Sequence, residues 1–155
     1  MPTEARSLVS VVVPVYNPGE YFAPFLASLQ AQTLQNWQAI LVDDGSTDGS
    51  AERIDSAARA DARILAVHQP NSGAAAARAR GVALAEGEFL LCVDSDDLMH
   101  PQMLRALVQA CQSQNAQLAF CRFAPFTKAP SPDTEPPAGQ PLSGQAAREM
   151  LLHDQ

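Results

Sequence analysis

This sequence is short of cysteine, of basic charge and of long apolar runs, and each shortage removes a class of function. Cysteine occurs three times, as Cys92, Cys111 and Cys121. The odd count argues against a disulfide framework, and the spacing is not that of zinc ligands. All three sit in apolar contexts, so the expectation is small buried hydrophobes in a reducing compartment. Lysine and arginine total 10 against 17 acidic residues, a net charge of -7. A nucleic acid or an anionic membrane surface is therefore disfavoured as the main partner. An anionic ligand held by a metal and local donors stays compatible. Residues 1–7 lack the apolar core of a secretion signal, and the run 8–15 contains Pro14 and is too short to cross a bilayer. The chain reads as cytoplasmic, or attached peripherally from the cytoplasmic face of the membrane.

Two nucleotide signatures are missing as well. Pro14-Val15-Tyr16-Asn17-Pro18-Gly19 stands after the first apolar run, where a dinucleotide fold would carry G-x-G-x-x-G, and there is no P-loop. These absences argue against an oxidoreductase of that fold and against a P-loop kinase or NTPase. No internal repeat is visible. Asp44-x-Ser46-x-Asp48-Gly49 with Asp55 imitates a calcium loop, but a strand precedes it and the last ligand is Asp, not Glu. His68, His100 and His153 show no metal spacing and read as surface or loop residues.

What is present fits one globular domain. The 155 residues are 46% apolar and 17% charged. Leu8–Val13 is β-branched and almost wholly apolar, like a strand buried in a parallel sheet, and Pro14 is expected to end it. Tyr21, Phe22, Phe25, Leu26 and Leu29 share a helical face, with Pro24 in the first turn. Trp37–Val42 is a second strand, and a helix with Ala51, Ile54, Ala57 and Ala58 inward follows. Ile64–Val67 is a third strand. Ala74–Ala85 favours helix, with Gly81 suited to close packing. Phe89–Val93 reads as a buried strand after Gly87. Leu104, Leu107, Val108 and Cys111 line a helix begun by Pro101, and Ala116–Cys121 reads as a further strand. Alternating strands and helices predict an α/β fold, a mostly parallel twisted sheet flanked by helices on both faces.

Such sheets bind ligands at the carboxyl ends of their strands. Three polar clusters fall there: Pro14–Asn17, Asp43–Ser46 and Asp94–Asp97. A fourth, Asn71-Ser72-Gly73, opens a helix, where free N–H groups favour an anion. Asp94, Asp96 and Asp97 repel one another unless a cation or proton joins them. Asp94 and Asp96 point apart if the strand continues and converge if the chain turns. A hard cation such as Mg2+ or Mn2+ takes such oxygen ligands together with phosphate oxygens. A nucleoside diphosphate with an attached group suits the set. Asp44 suits a hydrogen bond from a base or ribose. Arg78 suits a phosphate, a base face or an ion pair with a nearby Asp. Asp43 suits a turn or helix cap, Asn71 a turn, and Arg80 a solvated helix surface.

The four clusters resemble, in order and spacing, blocks of the family 2 glycosyltransferases, which have the GT-A fold. Val9–Asn17 resembles the opening strand, Leu41–Ser50 the second block, and Asn71-Ser72-Gly73 with Arg78 and Gly81 the third. Val93–Asp97 followed by Pro101 resembles the metal-binding block, and Leu142–Ala147 is similar to a later segment. The resemblance implies transfer of a sugar from a nucleotide-diphospho-sugar, a UDP-sugar by usual practice, to an acceptor hydroxyl with inversion. It implies that Pro14 and Tyr16 line the base and ribose pocket, and that Asp44 binds the base. Asn71 and Arg78 approach base or phosphates, and Asp94 lies near ribose and metal. Asp96 is the main ligand of Mn2+ or Mg2+, with Asp97 as a substitute. The acceptor would be a saccharide, a lipid-linked or a protein hydroxyl. The expected organisation is a nucleotide-sugar-binding domain over 1–123, a Pro-rich loop or linker over 124–142, and a helix over 143–155. The family's catalytic base lies further on, so the base is unassigned here. Asp133, Glu135, Glu149 and Asp154 fall in no recognisable block, and a truncated, donor-binding part is expected. The alternative is a non-catalytic nucleotide-sugar-binding or interaction domain of the same fold.

Overall fold

The computed structural model describes residues 9–121. The expected Pro-rich stretch 124–142, the helix 143–155 and the late carboxylates lie outside the described residues. The chain divides into two units between Leu104 and Arg105. The first holds four strands, β1 (Val9–Val15), β2 (Trp37–Asp43), β3 (Ile64–His68) and β4 (Phe89–Cys92), with helices α1 (Phe22–Gln30), α2 (Ser50–Ala60) and α3 (Ala74–Ala83) between them. A short 3-10 turn, Gly19–Tyr21, leads into α1. Helix α4 (Met103–Gln114) begins at the end of the first unit and continues into the second.

All pairings are parallel, in the order β3-β2-β1-β4. The chain therefore steps outward from β1 to β2 to β3, then crosses back to place β4 on the other side of β1. Right-handed crossovers put α1 and α2 on one face and α3 on the other. On the α3 face Val12, Ile40, Val42, Val67 and Ala77 form a buried cluster. The alternate residues Val11, Val13, Ala39 and Leu41 are wholly buried and point to the opposite face, as the pleat requires. Phe22, Phe25 and Leu29 of α1 and Ile54 and Ala57 of α2 are buried too. Each such large side chain stabilises the fold by about 1.5–3 kcal/mol. Gly81 lets α3 press onto the sheet: a Cβ there would stand 2.4 Å from Val12 Cγ1.

Several expectations are corrected. Pro14 does not end β1, which continues to Val15 in register with Asp43. The reason is the side its nitrogen faces. Val12 accepts a hydrogen bond from Val93 and Val15 accepts one from Asp44, so Pro14, in step with Val12, turns its nitrogen towards β4. The paired part of β4 stops at Cys92 opposite Val12, so no ladder bond is lost. Strand β4 is not buried: Leu90 is 50% exposed and Cys92 is exposed, because among the described residues β4 has β1 on one side and no strand on the other. Cys121 is exposed as well, and only Cys111 is buried as expected. Tyr21 lies before α1 and is exposed. Ala116–Cys121 forms no strand; Leu118 and Phe120 are exposed, and apolar alternation without a ladder partner does not make one. In the second unit Val108 and Cys111 are buried, one helical turn apart.

Candidate functional site

The strand order reverses direction at β1, which makes the carboxyl ends of β1 and β4 a switch point where open α/β sheets form a crevice. Asp43 and Asp44, neighbours at the end of β2, take opposite faces of the sheet. Asp43 points to the α2 side. Its Oδ1 accepts the Ser46 N–H at 2.9 Å, and its Oδ2 lies 3.1 Å from His68 Nδ1. Asp44 points to the α3 side and is 2% exposed. Its Oδ1 accepts from Gln69 Nε2 at 2.7 Å and from the Ser72 N–H at 2.8 Å; its Oδ2 accepts from the Gly73 N–H at 2.8 Å. Burial pushes the Asp44 carboxyl up, but these three bonds outweigh it and hold the group below the usual carboxylate range. Asp44 thus fixes the loop that delivers α3. Gly45 follows with φ 77°, and a Cβ there would meet the Asn71 nitrogen at 3.0 Å, so the two loops touch at backbone level.

A second lacing joins the loop after β1 to the loop after β2. Asn17 has φ 47°, a conformation Asn tolerates better than most residues. Its Oδ1 accepts the Thr47 N–H at 2.7 Å, and its own N–H donates to Ser46 Oγ at 3.2 Å. Asp48 accepts the Gly19 N–H at 2.8 Å and, at 3.1 Å, the N–H of Ser50, the first residue of α2. Burial raises the Asp48 carboxyl, and the bonds from Ser50 and Gly19 bring it below its ordinary value. Tyr16 directly follows β1 with 55% of its surface exposed, and Pro14 is buried within the strand.

Beyond β4 the chain turns at once. The Asp97 N–H donates to the Asp94 carbonyl at 3.2 Å, closing a four-residue turn that carries all three carboxylates. Asp94, Asp96 and Asp97 are exposed and Ser95 is buried. Asp97 is raised above the usual carboxylate range, first by burial and then by the negative charges of Asp96 and Asp94. Arg78 of α3 donates from Nη2 to Asp94 Oδ1. No cluster of three acidic, histidine or cysteine side chains is closed tightly enough around one point to form a metal cage among the described residues. The donor set, all carboxylate oxygen and mutually repulsive, still suits a hard cation that takes only one or two carboxylates from the protein. The segment after the turn is tied to α1 and the residues just beyond it. Buried Gln32 donates to the Ser28 and His100 carbonyls and accepts from Leu104 N–H, while Ser28 Oγ accepts from Met99 N–H.

A family model described as Glycosyl transferase family 2 matches residues 10–147. The chain belongs to glycosyl transferase family 2. Glycosyltransferase GlyG of Streptococcus pneumoniae is 44% identical over 117 residues, 75% of this chain and 39% of GlyG. S. aureus TarS 1-349 in complex with UDP-GlcNAc superposes with a TM-score of 0.64 at 31% identity, over 69% of this chain and 32% of TarS 1-349. Mannosyltransferase PcManGT from Pyrobaculum calidifontis, in complex with GDP-Man and Mn2+, superposes with a TM-score of 0.55 at 26% identity, over 61% of this chain and 29% of the other. This chain therefore spans about two fifths or less of each of these relatives. Its four-stranded parallel sheet flanked by helices is the GT-A fold of family 2.

Within that family frame the structure brings the residues singled out from the sequence onto one rim. Tyr16, Asp44, Asp94, Asp96 and Asp97 all follow strand ends, and Arg78 reaches the β4 turn from α3. Asn71 is exposed in the loop that Asp44 pins. Arg80 is exposed, as expected. Asn17, Asp48, Gln69 and Gln32 have no assigned role in the sequence, although each joins segments far apart in the chain. Asn17 and Asp48 lay inside blocks already noted, and a polar residue next to a Gly or Pro was the available signal. Gln69, next to Pro70, carries the same signal, and nothing in the sequence marks Gln32. His68 is not merely a surface residue: it ends β3 between two carboxylates.

Proposed function

We propose that this chain is the donor-binding part of a metal-dependent glycosyltransferase that uses a nucleotide-diphospho-sugar, a UDP-sugar foremost, and inverts the anomeric centre. One observation carries the reading: three carboxylates on one turn beside the β1–β4 switch point, with Asp97 pushed towards its protonated form first by burial and then by the charges of Asp96 and Asp94. Charge of that kind is relieved by a cation. In this reading Asp96 holds Mn2+ or Mg2+, with Asp94 or Asp97 as the second carboxylate, and Arg78 keeps Asp94 in place. Such an ion supplies electrostatic stabilisation to a departing nucleoside diphosphate. Pro14 and Tyr16 line the base and ribose pocket. Asp44, which keeps one acceptor position beyond its three protein donors, receives a base N–H. Asn71 and Arg78 approach the base or the phosphates. The TarS complex with UDP-GlcNAc supports a uridine donor, and the PcManGT complex with Mn2+ supports the ion. The acceptor is a saccharide, lipid-linked or protein hydroxyl in a polysaccharide pathway. The expected setting is the cytoplasm or the cytoplasmic membrane face; among the described residues no helix is long and apolar enough to cross a membrane. The organisation into 1–123, 124–142 and 143–155 belongs to the same proposal.

Calorimetric titration with UDP, with and without Mn2+, tests it. UDP should bind more tightly with Mn2+, and Asp96→Ala should remove that gain while leaving the fold intact. Absence of UDP binding rejects the donor role; UDP binding indifferent to Mn2+ and to Asp96→Ala rejects the metal role.

A further inference from the structure

His68 ends β3 with both ring nitrogens occupied. Nδ1 lies 3.1 Å from Asp43 Oδ2 and Nε2 lies 2.9 Å from Asp55 Oδ1. An ionised carboxylate only accepts hydrogen bonds, and a neutral imidazole has one N–H and one lone pair. A neutral ring would therefore set its lone pair against one of the two carboxylates. Only the imidazolium donates at both ends. Asp43 faces the ring from β2 and Asp55 from α2, and among the described residues these are the two ionisable groups in contact with it. The bridge spans three elements that the chain separates by 13 and 25 residues.

The bridge leads to the site. Asp43, held on Oδ2 by His68, uses Oδ1 to hold the Ser46 N–H. Ser46 Oγ accepts the Asn17 N–H, and Asn17 Oδ1 accepts the Thr47 N–H. Asn17 follows Tyr16 directly. The line from His68 to the β1 loop thus runs through direct hydrogen bonds at Asp43 and Ser46.

We propose that His68 is a positioning residue that works as an imidazolium staple between Asp43 and Asp55, and that nucleotide binding weakens when the staple loses its proton. This rests on the donor-binding reading given above. The two carboxylates, first Asp55 and then Asp43, also raise the proton affinity of the ring above that of free histidine against a smaller opposing effect of burial. The sign follows. The staple is complete below the ordinary histidine value near 6.5 and is lost as pH rises through the higher folded value. Because the ring is 42% exposed, solvent screening limits the effect to about twofold to fivefold in affinity.

The test compares this chain with His68→Arg by UDP titration between pH 6 and 9. A guanidinium stays charged and can reach both carboxylates, so the variant should keep its affinity at high pH while the parent loses about twofold to fivefold. Comparing the two proteins cancels the ionisation of UDP itself. Identical pH profiles overturn the proposal. A nuclear magnetic resonance titration of the His68 ring in the parent chain decides the matter even if the variant does not fold. Both ring nitrogens should carry protons at the acidic end of the titration, and the ring should titrate above 6.5; a ring titrating at or below that value overturns the staple. Absence of UDP binding at every pH would reject the donor-binding reading and the link to nucleotide affinity, and the ring titration would still decide whether the staple exists.

Discussion

Replacing Asp44 by Asn removes a charge while keeping the size of the side chain, and it separates the loop-holding role of Asp44 from bulk. The carboxylate receives Gln69 Nε2 and the Ser72 N–H on Oδ1 and the Gly73 N–H on Oδ2. An Asn offers one oxygen. In its better orientation that oxygen keeps Gln69 and Ser72, and the amide NH2 then confronts the Gly73 N–H. One donor loses its acceptor in a buried setting, and two bonds lose their charge assistance. Hydrogen bonds to a charged group contribute about 1.5–3 kcal/mol and ordinary ones about 1 kcal/mol. The expected loss is about 2–4 kcal/mol at neutral pH. At about 2–4 °C per kcal/mol for a chain of this size, Tm should fall by about 5–15 °C. Urea unfolding at pH 7 and pH 3 provides the assay. The folded-state pKa of Asp44 is depressed, so its contribution is complete above the unfolded value near 3.9. It disappears as pH falls through the folded value. The deficit of the Asn variant should therefore shrink on acidification. Equal stability at pH 7, or a deficit unchanged at the lowest pH at which the parent stays folded, would refute the reasoning.

Two further outcomes follow from packing and backbone geometry. Gly81→Ala puts a methyl 2.4 Å from Val12 Cγ1; overpacking costs about 1–3 kcal/mol against a helix-propensity gain of about 1 kcal/mol. The variant should be destabilised in denaturant melts, and Val12→Ala should reverse the sign of that effect; additive single and double mutants would contradict the close approach. Asn17→Ala loses the acceptor for Thr47 N–H and strains a residue at φ 47°, whereas Asn17→Gly loses only the acceptor. Alanine should therefore be the less stable variant by about 1 kcal/mol, and equal melts would remove strain from the account.

The sequence made the strands and helices legible where one periodicity dominated. The run Val9–Val13 could only be a strand buried on both faces, and Leu104, Val108 and Cys111 could only share a helix face. Place within the sheet was not legible. Phe89–Cys92 is as apolar as a central strand, yet only its pairing shows that it lies beside β1 alone among the described residues. Pro14 misled for a related reason: whether its missing N–H matters depends on how far the neighbouring strand extends. The strand-end carboxylates were readable because each follows an apolar run directly. The bonds that hold them were not, because Asn17 to Thr47, His68 to Asp43 and Gln32 to His100 join residues 30, 25 and 68 apart, and no local pattern records such distances. The different duties of Asp43 and Asp44 follow from the pleat once both are known to continue the strand.

The paired part of β4 ends at Cys92, level with Val12, while β1 runs on to Val15. At about 3.3 Å per residue the upper border of the sheet drops by about 10 Å from one strand to the next. The border is a stair, with its tread at the carboxylate turn and its riser along the last residues of β1. The loops that leave β1 and β4 therefore start at two different heights on one sheet. The height of the tread is a count of residues. Two more residues in β4 would lift it by about 7 Å and return every side chain to the face it has now, since the pleat repeats every two residues. Depth can thus be altered in whole pairs without disturbing the layers beneath.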